Sequence, residues 1–329
     1  MNQGEKTDNN QGWLKVIGST RPISFFLKSY AMFILLCDIV YFLTYLVASI
    51  FQAILNFIRP PKLKSLKGEI AVIIGASRGV GRELAIKLAE QGTVPVCLDI
   101  NHIDNQTLVK DIRKMGHEAF GYTCDVTSKD QVEHVIDAID RDVGDISMYF
   151  HCCGVPSPRS LVSEPPPIQV TMDVSIVSHF YLLDQILPKM KKLKYGHIVL
   201  LTSVAGLSCI KTQLPLAVAQ FAVQGLFESL VEDLRMSKCQ DLIQISLIHI
   251  YPFIVSENLE NDIRLRIPSY FGTIRAEHAA LQILRGVRRN QMEISIPTYY
   301  FYIGNILRML PKNATYLLRE MLDTGVDFG

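Results

Sequence analysis

Two patterns of apolar residues divide this chain. From Ala31 to Ile58 it is almost continuously apolar, with Asp38 the single formal charge. A helix rises about 1.5 Å per residue, so this stretch is long enough for a hydrocarbon core of roughly 30 Å. It lies too far from the N-terminus for an ordinary cleaved signal peptide and reads as a membrane anchor. A polar segment, 1–30, precedes it. Pro60 and Pro61 stop the helix, and 59–67 forms a basic linker with Arg59, Lys62, Lys64 and Lys67. From 68 to 329 short apolar runs alternate with amphipathic stretches. The runs predict strands at Ile70–Ile74, Val94–Asp99, Glu118–Cys124, Ile146–Cys152, His197–Thr202, Leu242–Ile250 and Met292–Ile296. Helices are predicted at Gly79–Gln91, Gln106–Met115, Gln131–Ile139, Pro167–Lys191, Pro215–Met236 and Ala276–Arg288. This alternation implies an α/β fold: a doubly wound parallel sheet with helices on both faces and a ligand crevice at the strands' carboxyl ends.

The first strand runs into a glycine-spaced turn and then a helix. Gly75 takes a backbone conformation closed to residues with a Cβ. Gly79 lets the main chain approach a pyrophosphate, and Gly81 lets the helix pack tightly on the strand. The N–H groups and positive dipole end of the new helix favour phosphate. Asp99 closes the next strand, where a carboxylate accepts from ribose hydroxyls and repels a 2′-phosphate.

Composition narrows the setting. Net charge is +1, which gives no footprint for nucleic acid. The cysteine count is 7, an odd number, and no pair has metal-ligand spacing. These read as reduced thiols in a cytosol-facing domain with no metal site. The Asn105 and Asn313 sequons are then chance matches. Lys15, Arg21 and Lys28 flank the anchor on one side and the basic linker on the other. The larger cluster keeps the C-terminal domain cytosolic; basic flanks on both sides also suit a shallow hairpin in one leaflet. The linker cations are expected against anionic headgroups.

Gly75-Ala-Ser-Arg-Gly-Val-Gly81, Cys124-Asp-Val126, Gly196-His-Ile-Val199 and Ser203-Val-Ala-Gly206 resemble the short-chain dehydrogenase/reductase family. Pro60-Pro61 through Gly68-Glu-Ile-Ala-Val, Leu98-Asp-Ile-Asn101, Gln291–Pro297 and Ile306–Pro311 are similar to one branch of it, the membrane- or lipid-droplet-anchored retinol and hydroxysteroid dehydrogenases. The resemblance implies cofactor contacts at Gly75, Ser77, Arg78, Gly79, Val80, Gly81, Asp99, Asp125, Val126 and Gly154. Asp99 favours NAD(H) over NADP(H). Arg78 argues the other way, since a guanidinium can pair with a 2′-phosphate. Asp125 matches the family's adenine-contacting acid, or else caps the helix that starts near Ser128.

The same resemblance exposes what is missing. Family chemistry uses a tyrosine as general acid/base, with a lysine one helical turn later that lowers the phenol's pKa and holds the nicotinamide ribose. A serine polarises the substrate oxygen. Ser203 matches that serine, but Leu216 stands at the tyrosine position and Gln220 at the lysine position. No Tyr-x-x-x-Lys spacing occurs in the chain. The asparagine that completes the proton relay reads Ser175, the Asn-Asn-Ala-Gly turn reads His151-Cys-Cys-Gly154, and Phe253 replaces the glycine after Pro252. His151, His179, Cys152, Cys153 and Lys211 are the residues whose chemistry could substitute.

Three functional readings follow. The first is an anchored, catalytically degraded relative that binds NAD(H) and acts as sensor, scaffold or partner subunit. The second is an active NAD-dependent oxidoreductase on a lipophilic alcohol such as a retinoid, sterol or fatty alcohol. The third is a cofactor-free dimerisation module built on the Phe221, Leu226, Leu230 and Leu234 face. The expected surroundings are the endoplasmic reticulum membrane or a lipid droplet, with a homodimer or a heterodimer with an active paralogue.

Overall fold

A computed structural model describes residues 21–154, 167–203, 206, 214–250, 254–255 and 274–322. Lys211, Cys209, Pro252, Phe253 and the loop Glu257–Phe271 lie outside the described residues. The chain divides into two compact units that meet between Lys62 and Leu63.

Among its described residues the first unit carries one long helix, α1 (Arg21–Ile58). It begins ahead of the predicted Ala31 because Phe25, Phe26 and Leu27 extend the apolar character past Lys28. Its Phe25–Asn56 window has mean hydropathy 2.2 and no buried residue, so it is long and apolar enough to cross a membrane.

The second unit carries a 7-stranded parallel sheet in the order β3-β2-β1-β4-β5-β6-β9. The elements on its first half are β1 (Ile70–Ile74), α2 (Gly79–Glu90), β2 (Val94–Asp99), α3 (His102–Lys114), β3 (Phe120–Thr123) and α4 (Lys129–Asp142). On the second half are β4 (Met148–His151), α5 (Ile168–Met172), a π-helical turn at Asp173–Val177, α6 (Ser178–Leu193), β5 (Gly196–Ser203), α7 (Leu214–Met236) and β6 (Ile243–Ile250). A short pair, β7 (Ile254–Val255) and β8 (Ile274–Arg275), precedes α8 (Ala276–Arg288) and β9 (Glu293–Ile296). The helices α9 (Tyr299–Met309) and α10 (Lys312–Leu322) follow.

Successive strand residues face opposite ways and so fill two cores. Ala71, Ile73, Cys97 and Phe150 pack on α2, α3 and α8 through Leu84, Leu88, Leu108 and Ile283. Val72, Ile74, Leu98 and Tyr149 pack on α4, α6 and α7 through Ile136, Ile186 and Val223. Leu226, Leu230 and Leu234 belong to this second core, each buried under the sheet. The sequence left that stripe open between dimer face and core; for these three leucines the core takes it, because α7 must cover β5 and β6.

The linker is also less solvated than its charges suggest. Leu66 is buried, its carbonyl accepting from the Thr93 hydroxyl. The Lys64 backbone exchanges hydrogen bonds with Arg288. The Lys64 ammonium donates to His197 Nδ1 at 2.8 Å. Lys64 is therefore turned into the domain and does not face headgroups. Asn105 is fully buried, donating to the carbonyls of Cys97 and Tyr122, so its sequon cannot be presented.

Candidate functional site

The strand order reverses between β1 and β4, so the crevice opens where their carboxyl ends diverge. On the β1 side, Gly75 has φ +77° and Gly79 φ +59°, the left-handed region that favours glycine. A Cβ on Gly81 would lie 2.1 Å from the Gly75 carbonyl oxygen, so turn and helix touch there. A Cβ on Gly79 would meet nothing within 4 Å: this backbone borders open space. Arg78, at the N-cap of α2, provides no side-chain cap and is exposed. The Arg78 guanidinium has no acceptor atom, so the N-cap side chain takes none of the first-turn amides and leaves them for an anion at the crevice.

Ser77 N donates to Asp99 Oδ2 at 3.0 Å, and Asn101 N donates to Asp99 Oδ1 at 2.9 Å. The half-buried carboxylate is thereby held at the end of β2, beside the glycine turn. Val80 packs on the core below, and Val126 is buried. Asp125 Oδ1 accepts from both the backbone N and the hydroxyl of Thr127, at 2.9 and 2.7 Å. Ser128, not Asp125, caps α4. One oxygen of Asp125 thus holds the turn after β3.

The β4 side is wired differently. Gly154 has φ +76°, and a Cβ there would stand 2.6 Å from Ser175 Cα. Its carbonyl accepts from Ser175 Oγ at 3.2 Å and from Gln220 Nε2 at 3.0 Å. Gln220 Oε1 accepts from Ser203 N at 2.7 Å and from Thr202 Oγ1 at 3.0 Å. Gln220 is 1 % exposed and closes a net that joins the end of β5, the turn after β4 and the π-helical turn. Leu216, half-buried in the first turn of α7, brings no proton donor. Ser203 is fully buried at the end of β5. Of the positions that the family resemblance assigns to a proton relay, Ser175 and Gln220 join the Ser203 backbone in a packed hydrogen-bonded lock.

The substitute histidines and cysteines are disarmed by burial, and Lys211 lies outside the described residues. His151 and His179 stack with ring centroids 3.5 Å apart, both buried. The Ser178 hydroxyl donates to Val174 O, so His151 Nε2–H donates to Ser178 Oγ at 2.9 Å. Burial lowers the His151 pKa to about 3 and pulls His179 well below the usual imidazole value, so both are neutral near pH 7. Burial pushes the Cys153 thiol up to about 12 and raises Cys152 as well, which leaves little thiolate. Among the described residues, no group of three His, Cys, Asp or Glu is placed to hold a metal. The sequence flagged Gln220 as a missing lysine but gave no sign of the lock, whose partners lie far apart in the chain.

Comparison with known proteins places this geometry. The family model for short chain dehydrogenase matches residues 69–266. Short-chain dehydrogenase/reductase family 16C member 6 of Bos taurus is 27 % identical over 87 % of this chain and 88 % of its own length. Human 17-beta-hydroxysteroid dehydrogenase 13 is 25 % identical over 87 % of this chain and 94 % of its own. Human epidermal retinol dehydrogenase 2 is 27 % identical over 83 % of this chain and 88 % of its own. A short chain dehydrogenase/reductase from Burkholderia phymatum, solved in complex with NAD, shares the fold: TM-score 0.64, 22 % identity, covering 75 % of this chain and 95 % of that one. A glycine-turned crevice at the switch point of a seven-stranded parallel sheet, a family match through that crevice and relatives aligned along most of their length agree: the chain belongs to the short-chain dehydrogenase family, whose Rossmann-type fold binds a nicotinamide cofactor.

Proposed function

We propose that this protein is a membrane-anchored dehydrogenase-fold protein that binds NAD(H) and has lost most hydride-transfer activity, serving as a scaffold or partner subunit at the endoplasmic reticulum or a lipid droplet. The observation that carries this reading is Gln220. Its amide is consumed on both ends by protein groups, at the position where an ammonium would hold the nicotinamide ribose. Leu216 supplies no proton, and the buried neutral histidines and protonated thiols do not replace it. Loss of a positioned acid/base costs about 10²–10⁴-fold in rate.

NAD(H) is preferred over NADP(H) because Asp99 stands where a 2′-phosphate would come, and an unpaired carboxylate–phosphate contact in a crevice is costly. The cytosol-facing orientation rests on the basic residues that follow α1. The relatives' names support the second reading, an active oxidoreductase on a retinoid or sterol alcohol.

Absorbance at the NADH band decides between them. Full-length protein in lipid vesicles is mixed with NAD⁺ and a panel of retinoid and hydroxysteroid alcohols. The expected wild-type signal is at background, with a rise for Leu216→Tyr combined with Gln220→Lys where that variant folds. Wild-type turnover near 1 s⁻¹ on any alcohol overturns the proposal.

A further inference from the structure

The two sides of the crevice do not fit the same cofactor equally well. The β1 side fits an adenosine diphosphate moiety. Gly79 borders open space, α2 presents uncapped first-turn amides, and Asp99 is oriented by two backbone N–H groups. Each Asp99 oxygen spends one lone pair on the backbone and keeps another for a ribose hydroxyl. The β4 side, among the described residues, offers the nicotinamide ribose little. Gln220 is 1 % exposed and engaged at both ends, with Oε1 accepting from Ser203 N and Thr202 Oγ1 and Nε2 donating to the Gly154 carbonyl. Ser175 Oγ is spent on the same carbonyl. Leu216 has no polar atom to give.

We infer that the crevice is an ADP-ribose site: the adenosine and pyrophosphate groups carry the binding energy, and the nicotinamide end adds almost none. The inference rests on the cofactor-binding reading above and deepens it. Its consequence is that NAD⁺, NADH and ADP-ribose are held alike. A site that does not distinguish the two redox forms cannot report their ratio, so a scaffold or partner role is favoured over redox sensing.

Calorimetry on the full chain in detergent micelles tests this with NAD⁺, NADH and ADP-ribose as separate titrants. Dissociation constants within threefold of one another are expected. Asp99→Asn is expected to weaken all three by a common factor, roughly tenfold, as for loss of a hydrogen bond to a charged group. NAD⁺ or NADH binding tenfold tighter than ADP-ribose overturns the inference alone and leaves cofactor binding standing. Absence of binding by all three at millimolar concentration overturns the cofactor reading and this inference with it.

Discussion

The two banks of the crevice are built from similar materials and end in different states. Each has a glycine at positive φ at a strand end: Gly75 after β1, Gly154 after β4. At Gly79 the backbone borders open space, while Gly75 is closed in by the Leu98 carbonyl and Cys153. At Gly154 the polar side chains have turned inward and satisfied one another. The difference teaches that a phosphate cradle and a proton relay are separable. The cradle is made of backbone N–H groups and survives any change of side chain that keeps the turn. The relay that the family resemblance implies is made of side chains, and Gln220, at its lysine position, has buried partners at both ends of its amide. A satisfied buried net has no tendency to open toward a ligand, because opening breaks the hydrogen bonds that Gln220 makes to Ser203 N, the Thr202 hydroxyl and the Gly154 carbonyl.

Acid should destabilise the fold most severely. His151, in the buried bank, and His197, at the amino end of β5, are neutral and buried, each with a pKa lowered to about 3. The unfolded chain takes up protons near pH 6.5 and the folded one does not. Stability is therefore complete above about pH 6.5 and declines as pH falls toward 3. At pH 4.5 each histidine removes about 2–3 kcal/mol by linkage. Urea denaturation of the 63–329 unit across this range should show a loss near 5 kcal/mol; a flat profile would mean that neither imidazole is truly sequestered.

Gln220→Leu comes next. It deletes the side-chain acceptor of Ser203 N, one of two acceptors of the Thr202 hydroxyl and one of two side-chain donors to Gly154, at an expected cost of about 2–4 kcal/mol. In the folded fraction, ADP-ribose affinity should stay within threefold of wild type. A large affinity loss in protein of unchanged melting temperature would show that Gln220 faces the ligand.

Much of this fold was legible because its signals are local. Alternation of strand and helix patterns, and the glycine spacing at Gly75, Gly79 and Gly81, need only neighbouring residues. The positions of Leu216 and Gln220 followed from counting along a helix. What Gln220 does was hidden, because Gly154 and Thr202 approach it only through the sheet order. The same holds for Lys64 and His197, which meet across 133 positions; on sequence alone Lys64 is one more cation in a basic linker. An apolar stripe such as Leu226, Leu230 and Leu234 reads identically whether a sheet or a second subunit covers it.

Saturation-transfer NMR on NAD⁺ with the full-length protein observes both banks in one spectrum. Strong transfer to the adenine protons and the adenosine ribose, with weak transfer to the nicotinamide ring, is the predicted result. Equal saturation of the nicotinamide and adenine protons would contradict the account.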